Sequence, residues 1–326
     1  MTLARRSIMG VAAAGAAAGL LGPGARTAEA AAPQAGSQAA GYYRFKVGEI
    51  EVTLVNEGVN ERPLDASFVR NAPLPDVQAA LAAAFQPTAT LTIPITTAVL
   101  NTGSRLVMID AGIGQMGPPT TGRWMANFRA SGYGPDQVDT VVFSHFHGDH
   151  IQGFRAKDGT ALFPNAKAMV PEAEWAFWMD DARMNAAPEA MRGGFQGVRR
   201  VFGPVAGEVE KYPAAEKELL PGLTAIPAPG HTPGHTAFVV SSGDQRLLLW
   251  SDTTNKPELF VRNPGWHAVF DMDPAAAEAT RRRMLDMAAA ERMQLAGYHF
   301  PFPATGFITR AGSGYDYVPA FWRPQA

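Results

Sequence analysis

The chain has 326 residues and a formal net charge of −2, and it is 46% hydrophobic against 18% charged. That balance describes an ordinary globular protein of one large or two average domains, and excludes a disordered or fibrous chain. The charge offers no basic stripe for nucleic acid, and the lack of cysteine excludes disulfides and thiolate metal ligands.

The first thirty residues have the order of an export signal. Arg5 and Arg6 precede a weakly apolar stretch from Ile8 to Leu21, then Gly22-Pro23-Gly24 and the small-residue site Ala28-Glu29-Ala30. The paired arginines point to the twin-arginine route. The apolar stretch falls short of the roughly 20 residues that cross a bilayer, so no stable membrane anchor is expected after processing. Residues 1–30 are therefore predicted to direct export to the periplasm or the medium. Residues 31–41 read as a flexible leader, and residues 42–326 as a single domain.

Within that domain, Tyr42 to Val47 and Ile50 to Val55 alternate around Gly48-Glu49 and predict a β-hairpin. Asn60 to Pro75 contains three prolines and reads as irregular surface chain. Asp76 to Phe85 predicts a short helix capped by Asp76. A second hairpin is expected from Thr90 to Asn101 and Arg105 to Ile109, ending at Asp110-Ala111-Gly112. Trp124, Met125 and Phe128 have helical spacing. After them, the apolar run Asp139 to Phe143 reads as a buried strand. Ala166 to Val170 is a strand and Pro171 to Asp181 a helix with Glu172 and Glu174 near its positive end. Met191, Phe195, Val198 and Phe202 form a helical stripe. Strands follow at Leu223 to Ala228, Thr236 to Ser241 and Arg246 to Trp250. The longest helix, Asp273 to Met293, opens on an aspartate cap and a proline, and Gln294 to Tyr298 closes as a strand. Strands early and late, with helices between and after them, argue for sheets flanked by helices.

The chemistry sits at strand ends. His145-Phe146-His147-Gly148-Asp149-His150 packs four metal-type donors into six residues directly after the Asp139 strand. His145 and His147 face one side if extended, and Gly148 permits the turn that brings in Asp149 and His150. Imidazole and carboxylate together suit zinc and other first-row metals. His231 and His235 lie on the glycine-rich turn Pro229 to Thr236, Asp252 follows Leu247 to Trp250, and His299 follows Leu295 to Tyr298. If these edges meet, seven donors converge: His145, His147, Asp149, His150, His231, Asp252 and His299. One tetrahedral ion uses four. Two ions sharing a carboxylate fit the count, with Asp252 as the bridge. Asp110 is expected to brace the metal loop by hydrogen bonds, and His235 to support the ligands or face substrate. His267 receives no role.

In this order, H-x-H-x-D-H, P-G-H-T-P-G-H, Ser251-Asp252 and Tyr298-His299 resemble the motifs of the metallo-β-lactamase superfamily, over the span from Asp110 to His299. Gly41-Tyr42-Tyr43-Arg44, Asn101-Thr102-Gly103-Ser104, Ala126-Asn127 and Gly314-Tyr315 are similar to its organophosphate-degrading members, the methyl parathion hydrolases. Gly148 stands where that family often has proline. The resemblance implies an α+β fold, a four-layer αββα sandwich. It implies two divalent ions, zinc before cobalt, manganese or iron. His145, His147 and His231 would hold one, Asp149, His150 and His299 the other, with Asp252 shared. Asp149 and Asp252 would orient the attacking water and take its proton. Trp178 and Phe195 resemble aromatics that line the leaving-group pocket, and Met116 lies where relatives place an aromatic over it. The implied activity is hydrolysis of organophosphate triesters, with lactonase or arylesterase activity beside it. The alternatives are an acyl-homoserine lactone hydrolase and a non-enzymatic metal-binding structural or sensor protein. Relatives also imply a homodimer acting on a small ester or lactone.

Overall fold

Alternation of apolar side chains along the strands settles which layer each face meets. The computed structural model describes residue 32 and residues 34–324; the expected export segment lies outside the described residues. From Ala39 onward the chain forms one compact unit. Its strands are β1 (Tyr42–Val47), β2 (Ile50–Pro63), β3 (Thr90–Asn101), β4 (Leu106–Ile109), β5 (Thr140–Val142), β6 (Lys167–Pro171) and β7 (Glu210–Tyr212), followed by β8 (Lys217–Leu220), β9 (Leu223–Pro227), β10 (Thr236–Ser242), β11 (Gln245–Leu249), β12 (Gln294–Ala296), β13 (Thr305–Ala311) and β14 (Gly314–Pro319). The helices are α1 (Leu74–Ala83), α2 (Trp124–Ala130), α3 (Gly148–Ile151), α4 (Glu172–Trp178), α5 (Asp181–Ala186), α6 (Glu189–Phe202) and α7 (Pro274–Ala290).

The strands make two seven-stranded sheets, β1 through β7 in one and β14 back through β8 in the other. Hairpin-linked neighbours are antiparallel, whereas β4–β5, β5–β6, β6–β7 and β11–β12 are parallel and enclose helices in their connections. Along β3, Ala98 and Leu100 join a core shared with Phe238, Val240 and Leu247 of the opposite sheet. Val99 between them points the other way, to a core with Trp124, Phe128, Phe195 and Phe202. Val239, Leu248 and Leu295 likewise turn outward onto Met284, Leu285 and Ala288 of α7. Three stacked cores separate four layers, helix, sheet, sheet, helix, as the resemblance implied.

Two local expectations fail for physical reasons. Residues 60–63 are strand, because a bulge at Asn56 and Gly58 re-registers β2 and lets Asn60 pair with Ile93. Helix α1 starts at Leu74 behind Pro73, with no side-chain cap, so Asp76 sits in its first turn and does not cap it. Asp273 does cap α7, accepting the Ala276 N–H. The β13–β14 hairpin after His299 was not anticipated. No helix among the described residues is long and apolar enough to cross a membrane.

Candidate metal centre

Every expected donor lies at the end of a strand or on the turn that follows it, and the two sheets present those ends together. His145 and His147 leave β5, and Asp149 and His150 stand in α3. His231 is on the turn between β9 and β10, Asp252 follows β11, and His299 follows β12. That turn folds tightly because Gly230, at φ +124°, packs against the backbone of Ala277, where a Cβ would lie 2.2 Å from its nitrogen.

The seven residues form three groups whose donor atoms lie within 4.8 Å of one another: His145, His147 and His231; Asp149, His150 and His299; and His145, His150 and Asp252. Asp252 lies between the first two. Its Oδ2 is 3.2 Å from both His231 Nε2 and His299 Nε2, and its Oδ1 is 3.3 Å from His150 Nε2. Asp149 Oδ2 is 3.4 Å from His299 Nε2. His147 turns its Nδ1 to within 2.9 Å of His231 Nε2.

Partners on the far side of the rings decide which nitrogens are free. Ser144 Oγ donates to Asp110 Oδ2, so it accepts from His145 Nδ1 at 3.0 Å. His150 Nδ1 faces Asp110 Oδ2 at 2.8 Å, His231 Nδ1 faces Asp271 Oδ1 at 2.9 Å, and His299 Nδ1 donates to the Pro94 carbonyl at 2.7 Å. Each ring thereby turns its Nε2 towards the centre. Asp110 also accepts the Ser144 N–H and so braces the loop. It adopts φ +61°, and Ser251 adopts φ +47°. Non-glycine residues rarely hold that conformation, and here the Ser251–Ser144–Asp110 hydrogen-bond chain fixes both. His235 has both nitrogens engaged, with Nδ1 on the Ala228 carbonyl and Nε2 accepting the Asp252 N–H. It supports Asp252 and does not face substrate.

The electrostatics call for cations. Burial, with neighbouring imidazoles behind it, holds His145 and His147 well below the ordinary histidine range, so they stay neutral. Burial also works against charge on His150, but Asp252, Asp110 and Asp149 outweigh it and hold its pKa well above the usual value. His231 is lifted to about 9, since hydrogen bonds to Asp252 and Asp271 overcome burial. His299 rises for the same reason beside Asp252 and Asp149. His145 Nε2, His150 Nε2 and Asp252 Oδ1 are buried with no hydrogen-bond partner among the described residues. Unpartnered polar atoms within 4.8 Å of one another, with surplus carboxylate around them, fit a pair of divalent ions on a nitrogen and oxygen donor set.

Several residues that matter here were missed. Glu174, read only as a helix-end charge, is fully buried. It accepts the N–H groups of Phe146 and Gly234 and the Trp178 indole, tying the two histidine loops together. Asp271 orients His231 and is itself held by Arg281 Nη2 at 2.9 Å. Tyr298 donates to the Asp149 carbonyl and stacks on His150 at 3.8 Å. Glu57 accepts from Ile113 and Gly114, and burial raises its pKa to about 7. Glu174, Asp271 and Glu57 stand in no motif, and Tyr298, which adjoins His299 in one, carried no expected role of its own. His267, given no role, pairs with Glu278.

His147, Asp149, His231, Asp252 and His299 form the floor of a cavity of about 330 Å³ walled by Ile93, Ile95, Ile113, Phe270, Asn60, Gln152 and Asn255, while His145 and His150 are buried and do not line it. The expected pocket aromatics are absent from it. Phe195 is 1% exposed and packs on Trp178 and Phe177 in the outer core, and Trp178 spends its indole N–H on Glu174. Met116 is 40% exposed on a short turn, and Ile113 from the same loop lines the cavity in its place.

Residues 92–293, more than half of the chain, match the family model of the metallo-beta-lactamase superfamily. Among solved structures, the hydrolase AbOPH of the beta lactamase superfamily superposes with a TM-score of 0.81 at 27% identity, covering 88% of this chain and 100% of that one. AidC, a dizinc quorum-quenching lactonase solved with a product, superposes at 0.82 with 24% identity, covering 87% and 98%. A probable metal-dependent hydrolase from Staphylococcus aureus superposes at 0.69 with 19% identity, covering 85% and 100%.

Proposed function

Since the chain belongs to the metallo-β-lactamase superfamily, we propose that it is a dinuclear metal-dependent hydrolase of neutral lactones and related carboxylic esters. The observation that carries this reading is the pairing of seven metal-type donors with a cavity whose other walls carry no charge. Small ligands are held by apolar walls with a few placed polar groups. A substrate bearing a carboxylate would find no Lys or Arg among these wall residues. AidC, similar over most of both chains, is described as a dizinc lactonase, which supports the same reading.

In this proposal His145, His147 and His231 would hold one ion, Asp149, His150 and His299 the other, and Asp252 would be shared. When bound, the ions would supply Lewis acidity and lower the pKa of water from 15.7 to roughly 7. The chain does the rest. Asp252, held through its N–H by His235, keeps the donors in register. The water oxygen bonds to the acyl carbon, the ring C–O bond breaks, and the proton passes through Asp149 to the leaving oxygen, yielding a hydroxy acid. Asp149 is the more open of the two carboxylates, with 30% side-chain exposure against 4% for Asp252.

Hydrolysis of organophosphate triesters is the second reading, favoured by the resemblance at Gly41-Tyr42-Tyr43-Arg44 and Asn101-Thr102-Gly103-Ser104. Its case for aryl leaving groups leaned on Trp178 and Phe195. With those rings in the core and isoleucines on the wall, an alkyl-chain lactone suits the cavity better. The test is kcat/KM of zinc-loaded protein on a medium-chain lactone and on an aryl dialkyl phosphate. A tenfold or greater lactone preference (about 1.4 kcal/mol) supports the proposal, and the reverse preference replaces it with the triester reading. Hydrolysis of neither removes both. We also propose that residues 1–30 direct export, so replacing Arg5 and Arg6 by Lys should leave unprocessed precursor in the cytoplasm.

A further inference from the structure

The segment after Asp252 places a buried amide against the centre with almost nothing to bind. Asn255 is 5% exposed and lines the cavity beside Asp149, Asp252 and His299. Its one side-chain hydrogen bond among the described residues is from Nδ2 to Asp252 Oδ2, at 3.5 Å. That distance is at the limit for such a bond. The oxygen concerned already has His231 Nε2 and His299 Nε2 at 3.2 Å. A carboxamide carries two N–H donors and an acceptor oxygen, and buried polar groups of this kind are normally paired. Asn255 therefore has donor capacity to spare at the one wall position adjoining the shared carboxylate.

The segment is also held still. On one side the Asp252 N–H is fixed by His235. On the other, Lys256 donates from Nζ to the Thr92 carbonyl at 3.0 Å and pairs with Glu258 at 2.6 Å, anchoring the chain to β3. Asn60 and Gln152, the other carboxamides of the cavity, make no side-chain hydrogen bond to a metal-site carboxylate among the described residues. A donor fixed in place before reaction, beside the shared carboxylate and out of bulk solvent, stabilises negative charge that develops near it.

We propose that Asn255 is a further catalytic residue, whose Nδ2 donates to the substrate's acyl oxygen as water adds to the acyl carbon. The inference rests on the hydrolase reading above. As the C–O bond to water forms, the carbonyl π pair moves onto that oxygen and meets the amide N–H. When the carbonyl re-forms, the pair returns and the leaving oxygen departs with its proton.

The experiment compares wild type, Asn255→Ala and the isosteric Asn255→Asp on a medium-chain lactone and a phenyl ester, with zinc content and Tm measured on each preparation. Asn255→Ala is expected to keep two zinc ions and a near-native Tm. Its kcat should fall on the order of 10²-fold, with KM changed less than about threefold. Asn255→Asp, which loses the donor and adds charge beside Asp252, should fall at least as far. An unchanged kcat in Asn255→Ala overturns the proposal, as does a fall that merely tracks lost zinc. If the wild type hydrolyses neither substrate, the lactone and carboxylic-ester reading fails and takes this inference with it. An active wild type with an unimpaired Asn255→Ala defeats the inference alone.

Discussion

The floor and the walls of the cavity are built on different principles. On the floor and beneath it, the histidines that turn Nε2 towards the centre are pinned from behind: His145 by Ser144, His150 by Asp110, His231 by Asp271 and His299 by the Pro94 carbonyl. The walls are side chains of the cores that happen to face a void, such as Ile93 and Phe270, which lie in or against the cluster packing α1. A floor of this kind tolerates little change, because each buried polar group depends on the next. A wall of apolar side chains can be reshaped while the floor survives. Ligand chemistry and substrate choice should therefore come apart under mutation.

The sharpest way to break that contrast is at the shared carboxylate. Asp252→Ala should bind at most one ion and lose kcat/KM by a factor on the order of 10³ or more, with circular dichroism near that of the wild type. Retention of two ions would remove Asp252 from the centre. One layer out, Asp271→Asn should weaken metal binding by roughly 10–100-fold in competition against a chelator. An unchanged affinity would reduce the His231–Asp271–Arg281 chain to packing.

On the wall, Phe270→Ala should leave the zinc content intact and raise KM for a long-chain lactone about tenfold, with little change for a short one. A loss of zinc there would erase the distinction between floor and wall. Trp178→Ala sharpens the same contrast. It should cost about 3–5 kcal/mol of stability, read by denaturant unfolding, without a selective effect on KM for aryl substrates.

The smallest effect is proton linkage. His231 in the folded, metal-free chain titrates near 9, above its ordinary value. The stability it contributes is full below about pH 6.5 and is lost as pH rises through 9. The Tm of the metal-free chain should fall across that window while zinc affinity rises, because the ion displaces this proton. Affinity that is flat with pH would contradict the assignment of His231 as a ligand.

The centre was legible in the sequence because its donors crowd into short runs at strand ends, where turn geometry alone brings His145, His147, Asp149 and His150 together. The sandwich was legible from strand alternation, for instance at Ala98, Val99 and Leu100. The braces were not. Asp271 lies 40 residues from His231 and Glu174 lies 60 from Gly234, and neither stands in a local pattern. The walls were misread for a related reason. Trp178 and Phe195 look like pocket aromatics by type, but three donors to Glu174, the N–H groups of Phe146 and Gly234 and the Trp178 indole, turn that region into buried scaffold. Ile93, on the wall, has no feature that separates it from a core isoleucine. The β2 bulge that pairs Ile93 with Asn60 brings two wall residues together, and a strand pattern does not announce a bulge.

The proposed chemistry requires the donors gathered at the two sheet edges to hold a pair of ions. Zinc bound per chain, measured by elemental analysis after reconstitution and gel filtration, tests this most directly. Two ions per wild-type chain, falling to one or none in Asp252→Ala, is the predicted result. A wild type that saturates at one ion, or binds none, would contradict it.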